Sequence, residues 1–128
     1  MNRALFFSPH FPPANKPDHH RVCTALPYLK DYGWEAEVLC LDHKGTENTD
    51  YTKLNSIPDH VLIHRVKPER NKYLEKLNIN SIYWHHRKDL FDKGTELLSR
   101  KKFELVFFST TQFPFFTFGP LWKNKLSV

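Results

Sequence analysis

The apolar residues of the chain fall into short continuous runs, separated by segments in which apolar positions recur at helical spacing. Residues 4–7, Ala-Leu-Phe-Phe, are uninterrupted and stop at Ser8-Pro9, as expected of a parallel strand covered on both faces. Pro9, Pro12, Pro13 and Pro17 follow in a connection too rich in proline to be helical, and Asp18 is placed to cap the next helix. Val22, Leu26, Leu29 and Gly33 step by four, three and four, which predicts one apolar helical face stopped by glycine. Pro27 lies inside that helix. It removes one backbone hydrogen bond and is expected to kink the helix, at about 3 kcal/mol against a good helix former.

Trp34 to Leu41 alternates apolar and acidic positions before the run Val38-Leu39-Cys40-Leu41, and predicts a second strand entering a core. Residues 42–59 carry little periodicity and read as a long surface loop. His60 to Val66 predicts a third strand, with Val61, Ile63 and Arg65 on one side and Leu62, His64 and Val66 on the other. A helix is expected from about His85 to Lys101, with Leu90, Phe91, Leu97 and Leu98 as its apolar stripe and Arg100, Lys101 and Lys102 at its favourable end. Phe103 to Phe108 then predicts a fourth strand, Phe115 to Lys123 a further helix, and Leu126-Ser127-Val128 the start of another strand. Strands alternating with helices imply an α/β fold, a parallel Rossmann-like sheet with flanking helices. Ligands bind such sheets beyond the C-terminal ends of the strands, so residues 8–21 and 109–115 are the loops of interest.

The length of 128 residues suits one domain, and an apolar fraction of 40% that includes 11 Phe gives no sign of wholesale disorder. The formal charge of +5 suits phosphates or anionic lipid, or else a solvated surface that keeps the chain in solution. It comes without a recognised RNA or DNA motif, so nucleic acid is not an expected partner. Cys23 and Cys40 fall in a helix and a strand, the pattern of reduced, space-filling thiols. The apolar run behind Arg3 is too short for a signal peptide, and no stretch approaches the roughly 18 apolar residues of a membrane span. A cytoplasmic location is expected.

Candidate chemistry is sparse. No Gly-x-Ser-x-Gly elbow surrounds Ser8, Ser109 or Thr110, and His-Glu-x-x-His is absent. His19 and Cys23, four apart, read as a surface histidine beside a packed cysteine, so no metal is expected. His85-His86-Arg87 reads as a solvated helix start. Tyr73, Tyr83 and Trp84 interleave with Arg70, Lys72 and Lys76, which suits an anionic interface or, equally, rings packed on the domain itself.

The order of features is more specific than any one of them. Leu-Phe-Phe-Ser-Pro-His-Phe-Pro-Pro at residues 5–13 precedes a polar loop with Arg21, then Leu-x-x-x-Gly-Trp-Glu at 29–35 and Val-Leu at 38–39. Phe-Glu-Leu-Val-Phe-Phe-Ser-Thr-Thr-Gln-Phe-Pro follows at 103–114. Over residues 3–41 and 103–128 the chain resembles the N-terminal domain of family-4 glycosyltransferases, two-domain GT-B enzymes that move a sugar from a nucleotide-sugar donor to an acceptor. The resemblance implies a Rossmann-like domain over residues 1–128 that shapes the acceptor site, incomplete and without the C-terminal domain that holds the donor. Such a chain would not transfer sugar alone, and would need no cofactor beyond the nucleotide-sugar substrate. Its partners would be glycan or lipid-linked acceptors, with peripheral contact at the inner face of the membrane.

Carried onto this chain, the cleft falls to Ser8, His10, Asn15, Lys16, His19 and Arg21 in the first loop, and to Ser109, Thr110, Thr111 and Gln112 in the later one. No catalytic residue is assigned. Where the family commonly has a Gly-Gly pair before the first helix, this chain has Asn15-Lys16-Pro17-Asp18. Pro17 removes a backbone donor, so Lys16 and Arg21 are expected to act by charge instead of a phosphate-cradling loop. The rival reading is a non-catalytic α/β binding or interaction module.

Overall fold

The computed structural model describes residues 1–43 and 48–126. Four strands, β1 (Asn2–Phe7), β2 (Trp34–Leu41), β3 (Leu62–Val66) and β4 (Leu105–Phe108), form one sheet in the order β3-β2-β1-β4. Every neighbouring pair is parallel. Helices α1 (His20–Leu29), α2 (Lys72–Lys76), α3 (Ile82–Arg100) and α4 (Phe118–Leu126) complete the α/β architecture expected from the alternation of elements.

Strand β1 shows why the helices lie on both faces. Its consecutive residues Ala4, Leu5, Phe6 and Phe7 are all buried, and the pleat sends alternate side chains to opposite sides. Ala4 and Phe6 join Val38, Cys40, Val22 and Leu26 in a core beneath α1. Leu5 and Phe7 join Leu39, Leu41, Leu90 and Trp122 in a second core beneath α3 and α4. The chain therefore steps outward from β1 to β3 with α1 on one face. It returns across the other face through α3 to place β4 on the far side of β1.

Several boundaries differ from expectation for identifiable reasons. Helix α3 begins at Ile82, a turn earlier than predicted, because Ile82 and Tyr83 pack on the aromatic core, with the Tyr83 ring 5.1 Å from that of Phe115. Leu126 is the last residue of α4 and not the start of a strand. It lies one turn beyond Trp122, itself one turn beyond Phe118, and all three pack toward the same core. Ser127 and Val128, the remainder of that predicted strand, lie outside the described residues, as do residues 44–47 of the predicted 42–59 loop. Within that loop, Tyr51–Ser56 forms a 3₁₀ turn, and Thr49 bridges Ala14. Pro27 is inside α1, which tightens into a 3₁₀ turn at Lys30–Tyr32 and ends on Gly33 at φ 82°, a left-handed conformation that glycine adopts without strain.

The N-terminal end of the sheet is held by charge. Glu37, buried in β2, accepts from His64 Nε2 at 2.7 Å and Lys101 Nζ at 3.1 Å, with Arg3 Nε at 3.4 Å. One carboxylate thus joins β1, β3 and the end of α3, an arrangement that offsets the cost of its desolvation.

On the opposite face, α3 and α4 approach closely at Gly94. The Trp122 indole stacks on Phe91, with centroids 5.5 Å apart and planes 9° from parallel, and donates from Nε1 to Thr95 Oγ1 at 3.1 Å. A Cβ on Gly94 would lie well inside van der Waals contact of that indole and 3.3 Å from Leu39 Cδ2. Gly94→Ala, although favourable for an isolated helix, is therefore expected to destabilise the chain by about 1–3 kcal/mol. Urea denaturation of the variant beside the native chain checks the sign, since helix propensity alone would raise the midpoint.

Candidate functional site

In a sheet of order β3-β2-β1-β4 the strand order reverses at β1, so the loops leaving β1 and β4 diverge and open a crevice at their C-terminal ends. The backbone runs directly into it. Ser8 N donates to Leu39 O at 3.0 Å, and Ser109 N donates to Phe7 O at 2.9 Å, so the ladder continues one residue past each strand before the loops turn away. Pro17, Asp18 and Arg21 on one side and Phe107 to Thr111 on the other line a hollow of about 350 Å³, with Phe113 and Phe116 at its rim.

Asp18 ties the two sides together. Its side chain is 2% exposed. Oδ2 accepts from His10 Nδ1 at 3.0 Å and from Thr111 N at 3.2 Å, while Thr111 Oγ1 lies 3.3 Å from both carboxylate oxygens. The Ser109 hydroxyl donates to the Asp18 carbonyl. Burial pushes this carboxyl upward, but the hydrogen bonds from His10 and Thr111 outweigh it and hold its pKa below the usual value. Asp18 was expected to cap α1. Its side chain caps nothing there, because it is committed to groups up to 93 residues away.

The ten cleft residues expected from the sequence separate into two groups. Arg21, Ser109, Thr110 and Thr111 line the crevice. Ser8 and His10 lie beside it, with the Ser8 hydroxyl on His10 O at 3.3 Å. Gln112 closes the β4 loop by donating from its backbone N to Thr110 Oγ1 at 2.9 Å, and its side chain meets Ser81 Oγ at 3.1 Å at the start of α3. Asn15 instead faces the 3₁₀ turn after β2, where Oδ1 accepts from Lys53 Nζ at 2.6 Å, and Lys16 is exposed. His19 lines a separate groove of about 450 Å³ with Pro12, Cys23, Tyr28 and Lys53.

His19 is buried, contrary to the expected surface position. Its Nε2 bonds the Ala14 carbonyl at 2.9 Å, and Cys23 Sγ lies 3.6 Å from Nδ1. Burial holds its pKa below the ordinary value, and likewise pushes the Cys23 thiol up to about 11 and the Cys40 thiol to about 12. Both cysteines are free and remain protonated at neutral pH. Among the described residues no group of three or more His, Cys, Asp or Glu side chains is arranged to hold a metal ion, and no helix is long and apolar enough to cross a membrane.

The pair His85-His86 also departs from expectation, since both are buried inside α3. His85 Nδ1 accepts from Asn71 N at 3.0 Å, which leaves Nε2 to donate to Ile79 O at 2.7 Å. Among the described residues, the buried His86 Nδ1 meets no hydrogen-bond partner. Burial, reinforced by His85 and Arg70, lowers the pKa of His86 to about 4. The sequence does contain the signal for this burial. His86, Leu90, Gly94 and Leu97 recur at four, four and three, which puts the histidine on the apolar stripe. Near β2, His43 Nε2 donates to Pro9 O at 3.1 Å, its ring is 5.4 Å from that of His10, and burial lowers its pKa too.

Of the interleaved aromatics, Tyr83 packs on the core while Tyr73 and Trp84 stay exposed, Trp84 beneath the Arg87 guanidinium at 5.0 Å. No family model, curated protein or solved structure matches the chain.

Two outcomes follow from this arrangement. Asp18→Ala strands His10 Nδ1 and both Thr111 donors and is expected to cost about 3 kcal/mol in denaturant unfolding. Asp18→Asn, which keeps one acceptor oxygen, is expected to lose less. Acid acts through His86. Because its folded pKa is depressed, the unfolded chain takes up the proton first as pH falls below 6.5, and stability drops until about pH 4. The loss is on the order of 3 kcal/mol, with His19 and His43 acting in the same direction. Urea midpoints measured across that window should fall less steeply for His86→Gln than for the native chain.

Proposed function

We propose that this chain is the acceptor-side Rossmann-like domain of a glycosyltransferase, which moves a sugar from a nucleotide-sugar to a glycan or lipid-linked acceptor. The crevice between β1 and β4 carries the reading. It offers the Thr110 hydroxyl as donor, the remaining lone pairs of the Ser109 and Thr111 hydroxyls whose hydrogens go to Asp18, the Arg21 guanidinium, and the rings of Phe113 and Phe116 at the rim. Hydroxyls and a cation that fix orientation, beside aromatic faces that receive C–H surface, match what a saccharide presents. In this class of enzyme the donor nucleotide is held mainly by a second Rossmann-like domain, so the part assigned to this chain is to seat the acceptor. The commitment of Asp18 to several donors suits that role, because a carboxylate with a depressed pKa is a weak base and a firm scaffold.

A lipid-linked acceptor would also account for the apolar and basic groove between α3 and α4. Tyr83, Arg87, Lys88, Phe91, Phe118 and the exposed Leu121 line a hollow of about 340 Å³ there, and the exposed Trp84 lies against Tyr83 and Arg87. Aromatic and basic side chains together suit an anionic membrane surface. The working location in this reading is the cytoplasmic face of the membrane.

Titration of the ¹⁵N-labelled chain with methyl glycosides and, separately, with nucleotide-sugars tests the proposal. Glycosides are expected to shift the amides of Ser109, Thr110, Thr111 and Arg21, and Arg21→Ala to weaken that response about tenfold. Nucleotide-sugars alone should leave those amides in place and undergo no turnover. Failure of every saccharide to move them, or transfer of sugar by this chain alone, overturns the reading.

A further inference from the structure

The pairing of His10 with Asp18 does more than join two loops. A neutral imidazole bonded through Nδ1 to a buried carboxylate must carry its proton on Nδ1, because the carboxylate can only accept. In that neutral form Nε2 is left as a bare lone pair. Among the described residues it receives no hydrogen bond. The ring is also fixed in place. The Ser8 hydroxyl holds the His10 carbonyl at 3.3 Å, the His43 ring lies against its own at 5.4 Å, and Thr111 N shares the carboxylate oxygen that binds Nδ1. His43 provides a contrast, since its Nε2 must donate to the Pro9 carbonyl at 3.1 Å. With both rings neutral, these adjacent imidazoles at the C-terminal edge of the sheet hold opposite tautomers, and only that of His10 leaves Nε2 as an acceptor.

We propose that His10 is the oriented hydrogen-bond acceptor for a hydroxyl group of the ligand bound at this edge of the sheet, with Asp18 as the positioning residue that sets its tautomer. The inference rests on the acceptor-side reading above and assigns that site a specific recognition contact, an O–H of a sugar or similar polyol donating to His10 Nε2. A carboxylate behind an imidazole is the arrangement by which a histidine is held ready to receive a hydroxyl hydrogen. The ligand class follows from the chemistry, since a bare imidazole nitrogen recognises a donor and would be repelled by an unprotonated phosphate or carboxylate oxygen. Here no bond is made or broken, and the role is to select and orient.

Long-range ¹H–¹⁵N spectra of the imidazole rings in the intact native chain supply the test and require no variant. His10 is expected to show a protonated Nδ1 and a bare Nε2, the less common tautomer of free histidine, and its Nε2 signal is expected to move when methyl glycosides of glucose, galactose or mannose are added. Asp18→Asn should return the ring toward the ordinary tautomer, and His10→Phe should weaken glycoside binding at least about fivefold, the loss of one hydrogen bond. A protonated Nε2 in the native chain overturns the proposal, as does an Nε2 signal that responds to no hydroxyl compound. If glycosides shift the Ser109 to Thr111 amides but not His10 Nε2, the acceptor-side reading stands and this inference falls. If glycerol or inositol moves Nε2 while no glycoside does, the His10 assignment stands and the saccharide reading falls.

Discussion

Strand β1 is buried on both faces and hydrogen-bonded on both edges, and the rest of the molecule is arranged to satisfy it. Two apolar faces require two layers of helix, which α1 supplies on one side and α3 with α4 on the other. Two edges require a strand on each side, so the chain must move outward to β3 and then return past its starting point to β4. That return produces the crevice. Once a central strand is extended in both directions by parallel crossovers, the loops at its C-terminal end separate, and polar side chains can gather there without breaking the core.

The polar groups that gather there are held by few but strong interactions. Asp18 lies in the loop-to-helix junction after β1 and reaches His10 in its own loop and Thr111 in the loop after β4. A buried carboxylate with several donors is stable only while those donors remain, and this reciprocity fixes loops that contain little regular structure. Around it, burial keeps His19, His43 and His86 toward the neutral form. The formal charge of +5 counts Lys and Arg against Asp and Glu alone, and burial keeps these three histidines from adding to it, while this edge of the sheet presents directed hydrogen-bonding groups with Arg21 beside them. A surface of that kind discriminates by the direction of hydrogen bonds more than by net charge.

The fold was largely legible in the pattern of residues, and the site only in part. Ala4 to Phe7 and Val38 to Leu41 are continuous apolar runs because both faces of β1 and β2 are covered, and such runs are visible without any tertiary knowledge. The loops of interest followed from the same logic, since their position depends only on strand order and direction. Pairwise assignments failed where local sequence had a plausible local use. Asp18 after Pro17 looks like a cap, and nothing near it in the chain indicates Thr111. His85 and His86 look solvated when taken as a polar pair, although the four-residue spacing of His86 to Leu90 placed it on the buried stripe.

The sequence by itself determined the alternation of strand and helix, the parallel sheet and the edge at which its polar loops collect, because these depend on periodicities of two and about 3.6 residues and on the short reach of glycine and proline. Only the tertiary structure decided which of the candidate residues meet. Asn15 and Asp18 are three apart in the chain, yet one faces Lys53 and the other Thr111, because the loop turns between them and sends neighbouring side chains to opposite sides. The partner of a buried charge is set by how distant segments pack, and the local sequence around the charge carries no record of it.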